Sequence, residues 1–428
     1  MKWKACVQKA ATAVLVVGLL AGLQRLVAPK YVEDLMEGGF TDAYYREAGG
    51  HQVLMVGDCE LYENFDPVTL WEKYGIDSYI RGNAQQLAWQ SYYLLKEALR
   101  YETPKAVVFN VLELKYNEPQ KEEYNRLTID GMKWSFDKWN LIRASMTKGE
   151  SMMEYIFPIL RYHARIAQLT KEDLKYYWGS DVKNTVAGYY MRTDVSPYEI
   201  GQWGEENYVG TYSDEHAPEK PDLENKGQAA DGGWSAEADG DDLGENESEE
   251  GWSAEADGAA LDETASDASI TDLNAGEESG DRKEVEPLGE HAMHYLDLIR
   301  ELCEEKGIRL LLVKAPSVSP VWYAKWEEQI TAYAKRYSLD YINYLELVDE
   351  IGIDFSKDTY DEGLHMNYSG AVKCADYLGR YLSEHYKLED KRTDPLASEK
   401  WQKRKETQSA IYKIQQRELE ENGKVISF

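Results

Sequence analysis

Cysteine is scarce in this chain of 428 residues, and the scarcity excludes two ways of stabilising a fold. Four cysteines are too few and too scattered to form a disulfide framework. They lack the Cys-x-x-Cys or Cys/His spacing that structural zinc sites require, so we predict neither a metal ion nor another cofactor. Cys303 and Cys374 fall in helix-like patterns and could either pair or remain buried thiols. The four are Cys6, Cys59, Cys303 and Cys374.

A basic surface is also missing. The formal net charge is -30, and residues 205–286 alone contain 27 acidic and 4 basic side chains. Nucleic-acid binding needs clustered lysines and arginines that displace counterions, so we expect no nucleic-acid partner. The acidic segment repeats Gly-Trp-Ser-Ala-Glu-Ala-Asp-Gly at 233–240 and 251–258. Its composition buries too little apolar surface to offset chain entropy, which predicts a disordered acidic loop. A calcium-binding repeat is the alternative, although the acids lack EF-hand spacing.

One long apolar run stands at the N-terminus. Three lysines precede an uninterrupted apolar stretch at residues 13–23. We predict that residues 1–30 form a cytoplasmic stub and a signal-anchor helix, which crosses the cell membrane once and leaves the body outside. The alternatives are a cleaved signal peptide, which would release a secreted protein, and a buried N-terminal helix.

Five short apolar runs alternate with helical patterns. This alternation predicts an α/β fold with a doubly wound, five-stranded parallel sheet, whose ligands bind at the carboxyl ends of the strands. The predicted strands are 52–56, 78–80, 106–111, 309–313 and 340–343. The sheet domain is predicted in two halves, 31–118 and 287–388, separated by a helical cap at 119–204 and the acidic loop. Residues 389–428 are interpreted as a charged, solvated helical tail.

The stretch VLMVGDCELYENFDPVTLW, residues 53–71, carries the first candidate site. Gly57 permits a tight bend after the strand. The apolar spacing of Leu61, Phe65, Val68 and Trp71 predicts one helix after the turn. A helix N-terminus stabilises negative charge, so we expect a lowered thiol pKa at Cys59. A small residue buried at a strand end is the alternative.

The loop YDEGLHMNYSGA, residues 360–371, carries the second candidate site. Asp361 lies four residues before His365 and Glu362 three residues before it. Either acid could orient the imidazole, as the third member of a catalytic triad does. A structural histidine is the alternative. Both this loop and Cys59 follow strands, so they are predicted to share one rim of the sheet.

These stretches together resemble the SGNH/GDSL hydrolase superfamily. Gly-Asp-Cys is similar to the superfamily's first block, Gly-Asp-Ser, with Cys59 in the place of the serine. Gly82 in RGNAQQ is similar to the second block. EGLHMN resembles the Asp-x-x-His block, with Glu362 at the acid position and His365 as the histidine. The resemblance implies a flavodoxin-like core in which Cys59 is the nucleophile, His365 the base, and Glu362 or Asp361 the orienting acid.

The resemblance also implies an oxyanion hole. Its donors would be the backbone N–H groups of Cys59 and Gly82. The third block, Gly-x-Asn-Asp, is not present, and Asn110 at the end of the third strand is the candidate for its side-chain donor. Asp58, within the first block, and Asn83, next to Gly82 of the second, are candidate substrate-binding residues.

An anchored core of this kind is most similar to the DltD-like and alginate-acetylation-type branch. The implied activity is an acyltransferase or esterase acting outside the membrane on a cell-envelope polysaccharide or teichoic-acid-like polymer. A multi-pass membrane O-acyltransferase is the implied partner. The alternative is an inactive accessory or binding subunit. Arg161 and Arg165, four apart in RYHAR, could bind an anionic group or pair with nearby acids.

Overall fold

The computed structural model describes residues 2–28, 39–119, 121–171, 173–174, 186–198 and 285–426. The predicted acidic loop, 205–286, lies outside these residues except for its last two. The strands are β1 Val53–Gly57, β2 Ser78–Gly82, β3 Ala106–Asn110, β4 Arg309–Lys314 and β5 Asp340–Asn343. The α-helices are α1 Lys2–Val27, α2 Phe40–Glu47, α3 Cys59–Tyr62, α4 Pro67–Tyr74, α5 Ala88–Ala98, α6 Glu122–Ile129, α7 Phe136–Ser145, α8 Met152–Ile156, α9 Pro158–Tyr162, α10 Glu290–Lys306, α11 Ala324–Tyr337, α12 Val348–Ile351, α13 Tyr368–His385 and α14 Pro395–Asn422.

The five strands form one parallel sheet in the order β2-β1-β3-β4-β5. This confirms the predicted five-stranded parallel α/β fold, and the order is that of flavodoxin-like doubly wound sheets. Every residue of β1, β2 and β3 is buried. Strands covered on both faces need apolar side chains at successive positions, which explains the continuous runs in the sequence.

Helices cover both faces of the sheet. On one face α4 packs against α13, and the contact is close at Gly379, where an added Cβ would lie 2.3 Å from the Tyr74 ring. On the other face α5 packs against α10, and α10 is joined to α11 by the Tyr333 hydroxyl, which donates to Asp297 at 2.8 Å. Right-handed crossovers place the two groups of helices on opposite sides, so the turns that follow the strands meet at one rim of the sheet.

The insertion between β3 and β4 contains the predicted helices, α6 to α9. Helix α7 lies along α5, where the Trp89 indole donates to the Ser145 hydroxyl at 3.1 Å. The insertion then returns to the sheet through residues 186–198, named here the returning segment. The backbone N–H of Ile80 donates to the Ala187 carbonyl at 2.9 Å. Gly188 is required there, since an added Cβ would lie 1.9 Å from the Ile80 carbonyl oxygen.

The C-terminal tail packs on the domain, so the interpretation of a solvated helix is wrong. Trp401 of α14 is fully buried and stacks on Trp71 with ring centroids 5.4 Å apart. Its indole donates to Asp77 at 2.9 Å, and the Gln408 amide donates to Asp66 at 2.7 Å. The inward face of α14 is largely polar and meets buried acids, which is why the sequence shows only a weak apolar pattern.

Candidate active site

The turn after β1 is built by Asp58. Its carboxylate accepts hydrogen bonds from the Glu60 backbone N–H at 3.1 Å and from the Asn110 amide at 2.7 Å. Asp58 therefore caps α3 and ties the first strand to the third. The carboxylate is buried and engaged in these contacts, and the substrate-binding role of Asp58 stays a prediction.

The helix that follows the turn is broken in two. Helix α3 spans one turn, and α4 begins at Pro67 after Asp66, whose carboxylate accepts from the backbone N–H groups of Val68 and Thr69. The four apolar residues of the predicted helix are all buried. The prediction of a single helix is wrong because Asp66 and Pro67 form a strong start signal for a second helix.

His365 is held by the acid four residues before it. Oδ2 of Asp361 lies 2.6 Å from Nδ1 of His365, and Oδ1 accepts from the His365 backbone N–H at 2.7 Å. The His365 carbonyl accepts from the Thr359 hydroxyl at 2.8 Å. Of the two predicted acids, Asp361 occupies the orienting position. The backbone N–H of Glu362 donates to the Ser196 carbonyl of the returning segment at 3.2 Å.

The structure brings Cys59 and His365 together, with the sulfur within 4.8 Å of a ring nitrogen. Glu63, which the sequence did not single out, joins them, with Oε2 3.7 Å from Nδ1 of His365. The sulfur of Cys59, a carboxylate oxygen of Glu63 and a ring nitrogen of His365 all lie within 4.8 Å of one another. These three groups could hold a metal ion. The spacing of four residues between Cys59 and Glu63 is the sequence signal that could have found Glu63.

The pKa of the Cys59 thiol is raised to about 12, chiefly by burial, and His365 opposes the shift. The expected lowering of this pKa is therefore wrong, because the single turn of α3 offers a weak dipole that the burial of the thiol outweighs. The pKa of His365 is raised, since the acids Glu63 and Asp361 outweigh burial, which lowers it.

The predicted oxyanion donors surround the turn. Gly82 pairs with Gly57 in the sheet, and an added Cβ on Gly82 would lie 2.5 Å from the Gly57 carbonyl oxygen. Glycine is thus required for the close approach of β1 and β2. Asn110 is fully buried and donates to Asp58, which commits its amide to the turn. The oxyanion roles of Cys59, Gly82 and Asn110 stay predictions.

The other predicted binding residues make internal contacts. Asn83 is buried, and its amide donates to the Thr41 hydroxyl at 3.4 Å. Arg161 donates to Glu122 at 3.2 Å, and Arg165 donates to Asp173 at 2.9 Å. The alternative prediction, that the two arginines pair with nearby acids, is therefore confirmed. They lie in separate elements, α9 and the 3-10 turn His163–Gln168.

Two lysines at the rim were missed by sequence reasoning. The ammonium of Lys314, at the end of β4, donates to Glu60 at 2.8 Å, and both side chains are almost completely buried. Burial lowers the pKa of Lys115, which follows β3, to about 8, although Asp58, Glu60 and Cys59 act to raise it. A lysine that ends a continuous apolar strand, as in LLLVK, is the signal that could have located Lys314.

Comparison with known proteins identifies no family for this chain. No protein-family model matches the sequence, and no curated protein matches it. The function is therefore inferred from the residues at the rim of the sheet.

Proposed function

We propose that the chain is an extracytoplasmic acyltransferase or esterase that forms an acyl-enzyme on Cys59. One observation carries the proposal: a thiol, an imidazole and a carboxylate lie together at the carboxyl rim of a doubly wound sheet. The Asp361 carboxylate fixes Nδ1 of His365, and the Cys59 sulfur lies within 4.8 Å of a ring nitrogen of His365. This is the order of groups that nucleophile, base and orienting acid require.

The proposed reaction has two steps. The sulfur of Cys59 attacks an acyl carbonyl carbon as the thiol proton passes to Nε2 of His365. The C–O bond to the leaving group breaks, His365 returns the proton to that oxygen, and a thioester remains on Cys59. In the second step, an acceptor hydroxyl or water loses its proton to His365 and attacks the thioester, the C–S bond breaks, and His365 returns the proton to the Cys59 sulfur. Backbone N–H groups of Cys59 and Gly82 would stabilise the oxyanion in both steps.

An activity-based acyl probe tests the proposal. The full chain in detergent or lipid should be labelled at Cys59 by a fluorophosphonate or a thiol-directed acyl probe, and Cys59→Ala and His365→Ala should both abolish labelling. Cys303→Ala is the matched control, because that thiol is free but buried. If the folded protein is not labelled at any pH from about 6 to 9, the acyl-enzyme proposal is wrong.

The substrate and partner belong to the same proposal. The resemblance to the SGNH/GDSL superfamily, in its anchored branch, supports a cell-envelope polysaccharide or teichoic-acid-like acceptor. It also supports a multi-pass membrane O-acyltransferase as the source of the acyl group. A gene for such a transferase beside the gene for this chain would support the pairing, and mass spectrometry of the polymer in a deletion strain should show lost acyl groups.

We also propose that α1 stays attached as a membrane anchor. Residues Cys6–Val27 form a helix of 22 residues with mean hydropathy 1.9, long and apolar enough to span a membrane. The end of α1 packs on α9 and on the 3-10 turn that follows it; Val27 is buried, and its carbonyl accepts from Arg165 of that turn at 2.6 Å. A helix integrated in this way favours retention over cleavage. The intact mass of membrane-extracted protein should include residues 1–28, whereas a mature form lacking them would support a cleaved signal.

A non-catalytic accessory subunit is the second candidate function. It is favoured by Asn110, the candidate side-chain oxyanion donor, because its amide is engaged by Asp58. The two functions differ in the probe experiment, since an accessory subunit would remain unlabelled but would still be needed for polymer acylation in the cell. Complementation of a deletion strain by Cys59→Ala would then restore acylation.

A further inference from the structure

The groups around Cys59 also form the ligand set of a thiophilic metal ion. A sulfur, a ring nitrogen and a carboxylate oxygen converge within 4.8 Å from Cys59, His365 and Glu63. Zinc binds these three ligand types at about 2.0–2.3 Å. Tetrahedral ligands at such bond lengths lie about 3.3–3.8 Å apart, so rotation of the side chains by small angles would close the site.

The residues that hydrogen-bond to the proposed ligands would hold them in place, as the surroundings of a metal site do. Histidine ligands usually donate their second ring nitrogen to a carboxylate, which fixes the ring and its tautomer. The Asp361 carboxylate lies 2.6 Å from Nδ1 of His365, which leaves Nε2 for a metal ion. The Tyr360 hydroxyl donates to Oε2 of Glu63 and so orients the second ligand.

The local charge and exposure also suit a cation. Glu63 and Asp361 both face His365, and Cys59 adds a third group that becomes negative when it is deprotonated. The side chain of His365 is 15% exposed and Cys59 is half-buried, so an ion could enter from the rim. Three protein ligands leave one tetrahedral position for water, as in open zinc sites.

We propose that Cys59, Glu63 and His365 bind one zinc ion per chain at the rim of the sheet. Binding forms Zn–S, Zn–N and Zn–O bonds and releases the thiol proton, together with any imidazolium proton, to solvent. The ion occupies both the sulfur and the imidazole, so a zinc-loaded chain cannot be acylated at Cys59. This last consequence rests on the proposed acyl-enzyme function, whereas the metal site itself does not.

Cadmium and cobalt ions are the probes for the test. The full chain is treated with a chelator, desalted and titrated with Cd²⁺ or Co²⁺ while the thiolate-to-metal absorption band is recorded. We expect saturation at one ion per chain, a band that vanishes in Cys59→Ser, and weaker binding in Glu63→Gln and His365→Ala. Asp361→Asn should weaken binding about 10–100-fold, as expected when a ligand loses its orienting partner.

The control variants separate the site from chance binding by thiols. Cys303→Ser and Cys374→Ser should leave the band unchanged because both thiols are buried, and Cys6→Ser removes the exposed thiol of α1. The proposal is overturned if the band persists in Cys59→Ser, or if neither Glu63→Gln nor His365→Ala changes it. The absence of any band in the wild-type chain also overturns it. Circular dichroism of each variant checks that it folds.

Labelling of the metal-free chain distinguishes this inference from the acyl-enzyme proposal. If the chelated chain is labelled at Cys59 but shows no metal band, the acyl-enzyme stands and the zinc site fails. If the band is present but the chelated chain resists acyl probes, the zinc site stands and the acyl-enzyme fails. If both hold, one equivalent of Zn²⁺ should suppress labelling and a chelator should restore it.

Discussion

Oδ2 of Asp361 lies 2.6 Å from Nδ1 of His365, while Oδ1 of the same carboxylate accepts the backbone N–H of His365 at 2.7 Å. One acid therefore fixes both the ring and the backbone of the residue that would act as base. In the neutral ring, with Nδ1–H directed to a carboxylate, Nε2 carries the lone pair that could accept the thiol proton. This contact decides which of the two acidic neighbours should matter for activity.

Asp361→Asn should slow acylation of Cys59 strongly. The amide still offers an oxygen to the backbone, but it cannot stabilise an imidazolium as a carboxylate does. A loss of about 10²–10⁴-fold is expected from the effect of this change in other triads. Glu362→Gln, one residue away, is the matched variant and should change the rate less than about threefold. Labelling rates with an acyl probe provide the measurement, and equal losses in both variants would contradict the role assigned to Asp361.

The buried pair of Lys314 and Glu60 should be essential for stability rather than for chemistry. Lys314→Met leaves the Glu60 carboxylate buried without its cation, at a cost of about 3–5 kcal/mol. Glu60→Leu combined with Lys314→Met removes both charges, so it should recover most of that loss. Urea unfolding of the full chain in detergent, followed by tryptophan fluorescence, measures the change.

A surface pair provides the comparison for this experiment. Lys306 and Glu305 lie 3.0 Å apart with both side chains largely exposed, and Lys306→Met should leave the unfolding midpoint almost unchanged. Should the double variant at Lys314 and Glu60 be less stable than Lys314→Met alone, the carboxylate must have a role beyond neutralising the lysine.

The sheet could be predicted because each strand is specified by its own short stretch of sequence. A parallel strand buried on both faces needs a short continuous apolar run, and VLMV and LLLV satisfy that need without reference to the rest of the chain. The five predicted strands are all present with small shifts at their ends. Gly307 likewise ends α10 in the left-handed conformation, as a glycine after a helical pattern predicts.

The site was only partly predictable because its contacts join distant parts of the chain. Spacing could not decide between Asp361 and Glu362, since the choice depends on a loop in which Glu362 has a φ of 60°. The Tyr360 hydroxyl donates to Glu63, which lies 297 residues earlier in the chain. No local sequence pattern could have predicted this contact. The thiol pKa was mispredicted because burial, a property of the whole fold, outweighs the one helical turn that the sequence shows.

Truncation of Trp401 tests the finding that the tail is part of the domain. Its indole is fully buried, stacks on Trp71 and donates to Asp77. Trp401→Ala should cost about 3–5 kcal/mol of unfolding free energy through lost burial and a cavity. Tyr412→Ala on the same helix should cost little, because Tyr412 is 39% exposed. Thermal unfolding of the two variants gives the comparison, and similar midpoints would mean that the tail is dispensable.

The last prediction concerns a buried acid that joins the tail to the sheet. Glu102 accepts from the His51 ring at 2.6 Å and from the Tyr44 hydroxyl at 2.6 Å, and the other ring nitrogen of His51 lies 3.0 Å from the Lys400 ammonium. Burial acts to raise the pKa of Glu102, but the hydrogen bonds from His51 and Tyr44 outweigh it, so the pKa is lowered.

A lowered pKa makes the stabilisation by Glu102 depend on pH. Below the usual glutamate pKa of about 4.3 the unfolded chain takes up a proton before the folded one. The stabilisation is thus complete above that pH and is lost as the pH falls through the lower folded pKa. Glu102→Gln should cost about 1.5–3 kcal/mol at pH 7, and its deficit against wild type should shrink as the pH falls from about 5 to 3. Paired thermal unfolding curves measure the deficit, with Glu305→Gln at an exposed site as the control. A deficit that stays constant over this range would show that Glu102 contributes through packing and not through its charge.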